Sequence, residues 1–152
     1  MAEETGTDAD LEAVRLTGPV RLAAAFLGAG GGACAVAGLQ FVGMLRSAEA
    51  WEYALQYGLI AAGALEVGLG LLVLRMRHGA AIGAAILAPL LALASMGYMV
   101  LTIRWGVATC IAFVAPPLAG LGAIFSLFAL APTRRATLAR KRLAASGLEL
   151  GL

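Results

Sequence analysis

The residue of this chain with the clearest capacity for chemistry is Glu66, a carboxylic acid in the middle of an apolar stretch. The chain has nine acidic residues, and the other eight lie in the tails or in short connections. No Lys, Arg or His lies inside an apolar stretch to neutralise this carboxyl. Because an unpaired charge is costly in an apolar environment, we expect Glu66 to be protonated and neutral.

A buried carboxyl of this kind has two classes of use. It can carry protons or bind a cationic substrate, or it can donate a hydrogen bond that holds two helices or a partner subunit. The chain has no further Asp, Glu or His nearby to form a proton relay, which favours the structural or partner role. The carbonyl of Ala85, which Pro89 leaves without its helical donor, is the predicted partner of Glu66.

Other groups that could do chemistry are sparse. His78 is the single histidine and lies in a short connection beside Arg75 and Arg77. The two cysteines, Cys34 and Cys110, fall in apolar segments, where thiols usually act as small apolar side chains. One histidine without a cluster of cysteines or carboxylates cannot form a metal site. We therefore predict no catalytic residues, no metal and no cofactor, and an enzyme acting alone is not expected.

The elements that must position Glu66 are long apolar helices. Hydrophobic residues make up 61% of the 152 residues and charged residues only 13%, against about 25% charged in soluble domains. Four segments each exceed the roughly 20 residues that a helix needs to cross a bilayer; they are 22–45, 53–74, 79–103 and 106–131. Their short connections predict an all-α, integral membrane four-helix bundle running up-down-up-down within residues 21–131.

The tails predict the orientation of this bundle. Nine Lys and Arg residues fall on the side of the termini and two on the other side, which places both termini in the cytoplasm. Residues 1–20 form an acidic tail, predicted to be disordered. Residues 132–152 form a basic tail that could extend the fourth helix and favour anionic lipids at the membrane surface; its bases are Arg134, Arg135, Arg140, Lys141 and Arg142.

Small residues and prolines predict how the helices pack. Small residues at helical spacing predict close contacts within the bundle or between copies in a homo-oligomer. They are Gly28, Gly31, Gly32, Ala35 and Gly38 in the first helix, Gly58, Ala62, Gly63 and Gly70 in the second, and Gly79 and Gly83 in the third. Pro89, Pro116 and Pro117 lie inside helices and are predicted kink positions. All five Trp and Tyr residues lie near the predicted outer interface.

The segment from Leu59 to Ala81, LIAAGALEVGLGLLVLRMRHGAA, resembles the second-helix region of the DoxX-like family of four-helix membrane proteins. The first helix, which opens RLAAAFLGAG at Arg21, is similar to that family's opening. Gln40 departs from the family, which often has Lys near this position. The resemblance implies a bacterial membrane protein associated with oxidoreductase systems as a partner, with Glu66 as the candidate functional position.

These observations predict a small bacterial inner-membrane protein. Ten of the eleven basic residues are Arg, a bias typical of a GC-rich bacterial genome. The preferred function is an accessory or partner subunit near an oxidoreductase system, and the alternative is a small proton-coupled transporter that uses Glu66. The predicted partners are the lipid bilayer and another membrane subunit or a second copy of the chain. Because the bases follow an apolar segment rather than cover a folded polar face, no nucleic-acid binding is expected.

Overall fold

The computed structural model describes residues 9–15, 17–40, 49–106 and 109–145. Within them lie four long helices: α1 (Gly18–Gln40), α2 (Ala50–Leu74), α3 (His78–Arg104) and α4 (Cys110–Ala145). Each is long and apolar enough to cross a membrane. The all-α prediction is confirmed, and the four helices suggest a multi-pass membrane protein.

Contacts along the helices show that chain neighbours run antiparallel. Going up α1, the close contacts of Gly31 and Gly38 fall on Gly63 and then Gln56, so α2 descends as α1 rises. The α1–α4 pair behaves in the same way, since Phe26 stacks on Phe125 while Gln40 meets Thr109. The closest packing is α1 against α2 and α4, and α3 against α4; α2 and α3 pack less closely.

The bundle keeps small residues inside and large apolar residues outside. Its interior contains many alanines, among them Ala23, Ala84 and Ala119. Large side chains such as Leu93 and Phe128 are more than 60% exposed. Exposed leucine would be unfavourable in water, whereas lipid solvates it and small interior residues let the helix backbones approach. The surface therefore suits a hydrocarbon solvent.

The helix boundaries differ in part from the predicted spans. Residues 41–45, predicted to end the first span, lie outside the described residues. The fourth helix begins at Cys110 rather than at 106, because Gly106 ends α3 in a left-handed conformation with φ of +69°. It then continues to Ala145, so most of the basic tail is helical. A helix of 36 residues is about 54 Å long, and its last turns extend beyond a hydrocarbon core of about 30 Å.

The predicted tail of residues 1–20 is also partly described. Residues 9–13 are helical and α1 already begins at Gly18, in place of the predicted disorder. Glu3, Glu4 and Asp8 lie outside the described residues. Asp10 pairs with Arg142 at 3.5 Å, so the first and last described helical segments meet at one end of the bundle.

The prolines do not interrupt the helices. α3 continues through Pro89, and α4 continues through Pro116, Pro117 and Pro132. Pro116 is buried in the bundle and Pro117 is exposed. Kinks at these positions stay a prediction.

Candidate functional site

Glu66 lies two-thirds of the way along α2 and is completely buried. Eight residues separate it from Leu74 at the end of the helix, which places it about 12 Å from that end. Its side chain is directed past α1 towards α4. The carboxyl is therefore inside the bundle and does not face the surrounding solvent.

Two glycines leave the space that this side chain occupies. A Cβ atom on Gly31 of α1 would lie 3.0 Å from the Cβ of Glu66. A Cβ atom on Gly122 of α4 would lie 3.4 Å from Glu66 Oε1. Cδ2 of Leu27 on α1 would also lie 3.4 Å from a Cβ atom on Gly122, so Leu27 lies beside the carboxyl. Three helices thus surround the carboxyl, with glycine backbones on two sides.

Neither carboxyl oxygen of Glu66 has a hydrogen-bond partner in the described part of the chain. The predicted bond to the carbonyl of Ala85 is therefore wrong. Ala85 belongs to α3, whereas the carboxyl of Glu66 lies against α1 and α4. Glu66 and Ala85 lie at a similar depth along their helices. Helices α2 and α3 pack less closely than the other adjacent pairs, and the two residues do not form a hydrogen bond.

The surroundings of Glu66 are weakly polar and lack a counter-charge. Cys34 of α1 interacts electrostatically with Glu66, and its thiol also interacts with Ser95 of α3. The Ser95 hydroxyl itself donates to the carbonyl of Ala92, 2.8 Å away. The ion pair found in the described ranges, Arg142 with Asp10, lies outside the apolar part of the bundle, beyond the end at which α1 begins and α2 finishes. A neutral carboxylic acid is the form that such surroundings tolerate.

Buried hydroxyls follow Gly122 along the same face of α4. Ser126 and Thr133 lie four and eleven residues after Gly122, and both are completely buried. At 3.6 residues per turn they share its face of the helix. The Thr133 hydroxyl donates to the carbonyl of Ala129 at 2.7 Å. It also lies 3.2 Å from Nδ1 of His78, so polar positions extend from Glu66 to the connection between α2 and α3.

The half of the bundle beyond Glu66 contains further buried polar residues, among them Gln56, Tyr98 and Thr102. Gln56 is 1% exposed and its Nε2 donates to the carbonyl of Gly38 at 3.0 Å. Tyr98 is 1% exposed and its hydroxyl donates to the carbonyl of Ala37 at 3.2 Å. Tyr98 is predicted near the outer interface with the other Trp and Tyr residues, and in the structure its ring is buried between the helices. Polar residues within apolar runs were the signal that could have identified both.

The predicted basic residues occupy different surroundings. Arg134, Arg135 and Lys141 are exposed, and Arg142 pairs with Asp10. Arg140 is half-buried, and its Nη2 donates to the carbonyl of Arg75 at 3.2 Å. Only part of this basic cluster is therefore a free charged surface.

The remaining candidate groups do not come together. Cys34 is buried and Cys110 is exposed, and both are free thiols. Among the residues that the structure describes, no three His, Cys, Asp or Glu side chains lie close enough to hold a metal ion. Glu66 is therefore the candidate site that the geometry defines most sharply.

Compared with models of protein families, with curated proteins and with solved structures, the chain matches none. The resemblance to the DoxX-like family stays a prediction.

Proposed function

We propose that this chain is a small multi-pass membrane protein that transports a solute in exchange for, or together with, protons, and that Glu66 is the group that binds and releases the proton. The observation that supports this most is the complete burial of Glu66 with neither oxygen hydrogen-bonded. A buried polar group without a partner is rare in proteins and calls for an explanation. Ionisable residues placed in this way within membrane helices commonly serve proton or ion pathways.

The geometry weighs against the two roles that the sequence favours, a bond between helices and a contact with a partner subunit. A carboxyl that holds two helices together must donate or accept a hydrogen bond, and Glu66 does neither within the described chain. A carboxyl that contacts a partner subunit must reach the surface, and Glu66 is 0% exposed. The lack of a hydrogen bond and the complete burial of Glu66 therefore favour the proton-binding role.

The hydroxyls of Ser126 and Thr133 support a route for the proton. They lie on the α4 face that begins at Gly122 beside Glu66, and the Thr133 hydroxyl contacts His78 at the end of the bundle. The rise along α4 is about 6 Å from Gly122 to Ser126 and about 10 Å from there to Thr133. Water entering between these helices would join the hydroxyls into a path, as in other proton relays.

Proton flux in liposomes tests this proposal. The full-length protein is reconstituted with a pH-sensitive dye inside, and a potassium diffusion potential drives protons across the bilayer. We expect flux above that of empty liposomes, and loss of most of it in Glu66→Gln, which keeps the shape of the side chain but cannot release a proton. Glu52→Gln is the matched control because Glu52 lies on the same helix and its carboxyl accepts a hydrogen bond from the backbone N–H of Glu49 at the start of that helix. Equal flux in all three proteins would refute the proposal.

The second candidate is an accessory or partner subunit near an oxidoreductase system, as the resemblance implies. It is favoured by an apolar groove of about 250 Å³ between α2 and α3. Its α2 wall carries Ala54, Gly58 and Ala62, each four residues apart, and Leu87 and Leu90 are on its α3 wall. Small residues at this spacing let another helix approach closely, so the occupant that we propose is a transmembrane helix of the partner subunit.

Co-purification tests this second candidate. A stoichiometric membrane protein should accompany the wild-type chain in mild detergent and be lost in Gly58→Leu. A Cβ added to Gly58 would have nothing within 4 Å, and Gly58 lines the groove, so we expect leucine to occupy the groove while the bundle stays folded. A second copy of this chain, or no partner, in that preparation would contradict a heteromeric accessory role.

We further propose that the chain lies in the bacterial inner membrane with both termini in the cytoplasm. The excess of Lys and Arg at the end that carries both termini supports this orientation. Cys110 is exposed at the start of α4, at the opposite end of the bundle. A membrane-impermeant maleimide should therefore label Cys110 in cells with a permeabilised outer membrane and an intact inner one. Labelling only after lysis of the inner membrane would reverse the orientation.

A further inference from the structure

A cavity of about 400 Å³ lies at the end of the bundle that carries the chain termini. It opens between the connection from α2 to α3 and the part of α4 that extends beyond the apolar stretch. Arg77, Arg140 and Lys141 give it three basic side chains, and His78 and Thr137 add further polar groups. None of the lining residues is acidic. The cavity is therefore a concentrated positive site.

The start of α3 borders the same cavity, since His78 and Gly79 line it. Met76 is buried and adopts a left-handed conformation with φ of 54°, which is uncommon outside glycine. This conformation lets α3 begin at His78, only four residues after α2 ends. No side chain caps the start of α3, and the first amides of a helix have no partner within it. A Cβ added to Gly79 would have nothing within 4 Å, so the second residue of α3 is open on that side.

Arg140 is held in place with part of its hydrogen-bonding capacity unused. Its Nη2 donates to the carbonyl of Arg75, 3.2 Å away. Its Nε is buried and has no partner in the described residues. The bond to Arg75 uses one of the five N–H donors of the guanidinium, and a guanidinium held in this way is suited to bind an oxyanion.

We propose that this cavity binds a phosphate group, carried either by an anionic phospholipid headgroup or by a soluble phosphate. The uncapped start of a helix and a guanidinium are both standard partners of phosphate oxygens. The cavity also lies where the apolar part of α3 begins, which is the depth of lipid phosphates if the helices span a bilayer. The volume exceeds that of a phosphate ion and leaves room for the glycerol part of a headgroup. The inference does not depend on the role of Glu66.

The test uses the full-length protein in mild neutral detergent and two matched double variants. Arg140→Ala with Lys141→Ala removes two charges from the cavity. Arg134→Ala with Arg135→Ala removes two charges from exposed positions of the same helix that do not line it. Two probes are titrated at constant ionic strength: micelles containing phosphatidylglycerol, with phosphatidylcholine as the neutral comparison, and inorganic phosphate, with chloride as its comparison.

We expect wild type and the exposed-pair variant to bind one of the two anionic probes with affinities within about twofold of each other. The cavity variant should bind it at least about tenfold more weakly, since each basic residue contributes appreciably to anionic binding. Loss of phosphatidylglycerol binding would assign the site to a lipid headgroup, and loss of inorganic phosphate binding would assign it to a soluble phosphate. Equal losses in both variants would show only general attraction to charge, and binding of neither probe would show no site; either result overturns the proposal. Thermal unfolding of both variants verifies that they remain folded.

Discussion

Replacing Gly63 with leucine should prevent the four helices from assembling, whereas the same change at Gly58, on the same helix, should leave the bundle folded. Gly63 and Gly31 face each other where α1 and α2 cross. A Cβ on Gly31 would lie 2.5 Å from the carbonyl oxygen of Gly63, and a Cβ on Gly63 would contact the carbonyl oxygen of Gly31 as closely. The atoms that would be struck belong to backbones, which cannot rotate away as a side chain can. The helices must therefore separate.

The expected loss of stability can be judged from the cost of overpacking other protein cores. Forcing extra atoms into a packed core costs about 1–3 kcal/mol, and more where the backbone must move. Gly63→Ala should therefore reduce stability by roughly that amount, and leucine should exceed it. Gly58 has nothing within 4 Å of an added Cβ. Gly58→Ala should be neutral or slightly stabilising, because alanine forms helices better than glycine by about 1 kcal/mol.

The chain contains its own reporter for this measurement. Cys34 is fully buried in the core and Cys110 is exposed. In a Cys110→Ser background, a thiol-reactive fluorophore reacts with Cys34 only when the bundle opens, so its reaction during heating reports unfolding. Similar opening temperatures for Gly63→Leu and Gly58→Leu would show that the α1–α2 contact does not hold the bundle together.

Replacing Glu66 with methionine should raise the stability of the bundle. A buried polar group without a partner costs about 1–3 kcal/mol relative to its hydrogen-bonded state. Both oxygens of Glu66 lack a partner in the part of the chain that the structure describes. Methionine has a similar length, is unbranched and adapts to the space between Gly31 and Gly122. We expect a gain of about 1–3 kcal/mol, seen as a higher opening temperature of the Cys34 reporter.

Glu66→Gln separates the cost of the polar group from the cost of the ionisable group. Glutamine stays polar and finds the same unbonded surroundings, so its stability should lie close to that of the wild type. If Glu66→Met makes the protein more stable but inactive, the carboxyl is kept for function at the expense of stability. Lower stability of Glu66→Met than of Glu66→Gln would instead show that the carboxyl makes a stabilising bond.

Glu66 itself could be recognised from the sequence because a single acid in a long apolar run is conspicuous. The residues that surround Glu66 could not be predicted from the sequence. The same run offered Ala62, Gly63 and Gly70 as packing positions, and Gly63 and Gly70 do make close contacts with α1. Ala85 was a predicted partner because it lies at the same depth as Glu66 along its helix. Depth along a helix does not specify which neighbouring helix a side chain faces.

The glycines, too, could be predicted only in part from the sequence. Gly31 and Gly38 make close helix contacts as predicted, but Gly28, Gly32, Gly58 and Gly79, which were predicted in the same way, have no atom within 4 Å of an added Cβ. Gly122, which makes room for the carboxyl of Glu66, was not identified. Spacing identifies positions that share a face of a helix, but several faces of these helices carry small residues. Only the packed structure selects which one meets a neighbour.

The amino-acid sequence by itself determined the number and class of the elements: four apolar helices, short antiparallel connections and one carboxyl among them. Their lengths and composition leave no other way to satisfy the backbone in an apolar environment. The rotation of each helix about its axis was decided only by the tertiary structure, which set Glu66 between Gly31 and Gly122 and buried Tyr98. In water, polar residues mark the outer face of a helix. A helix surrounded by hydrocarbon is apolar on every face, so close packing of the backbones, and not polarity, decides which face is turned inward.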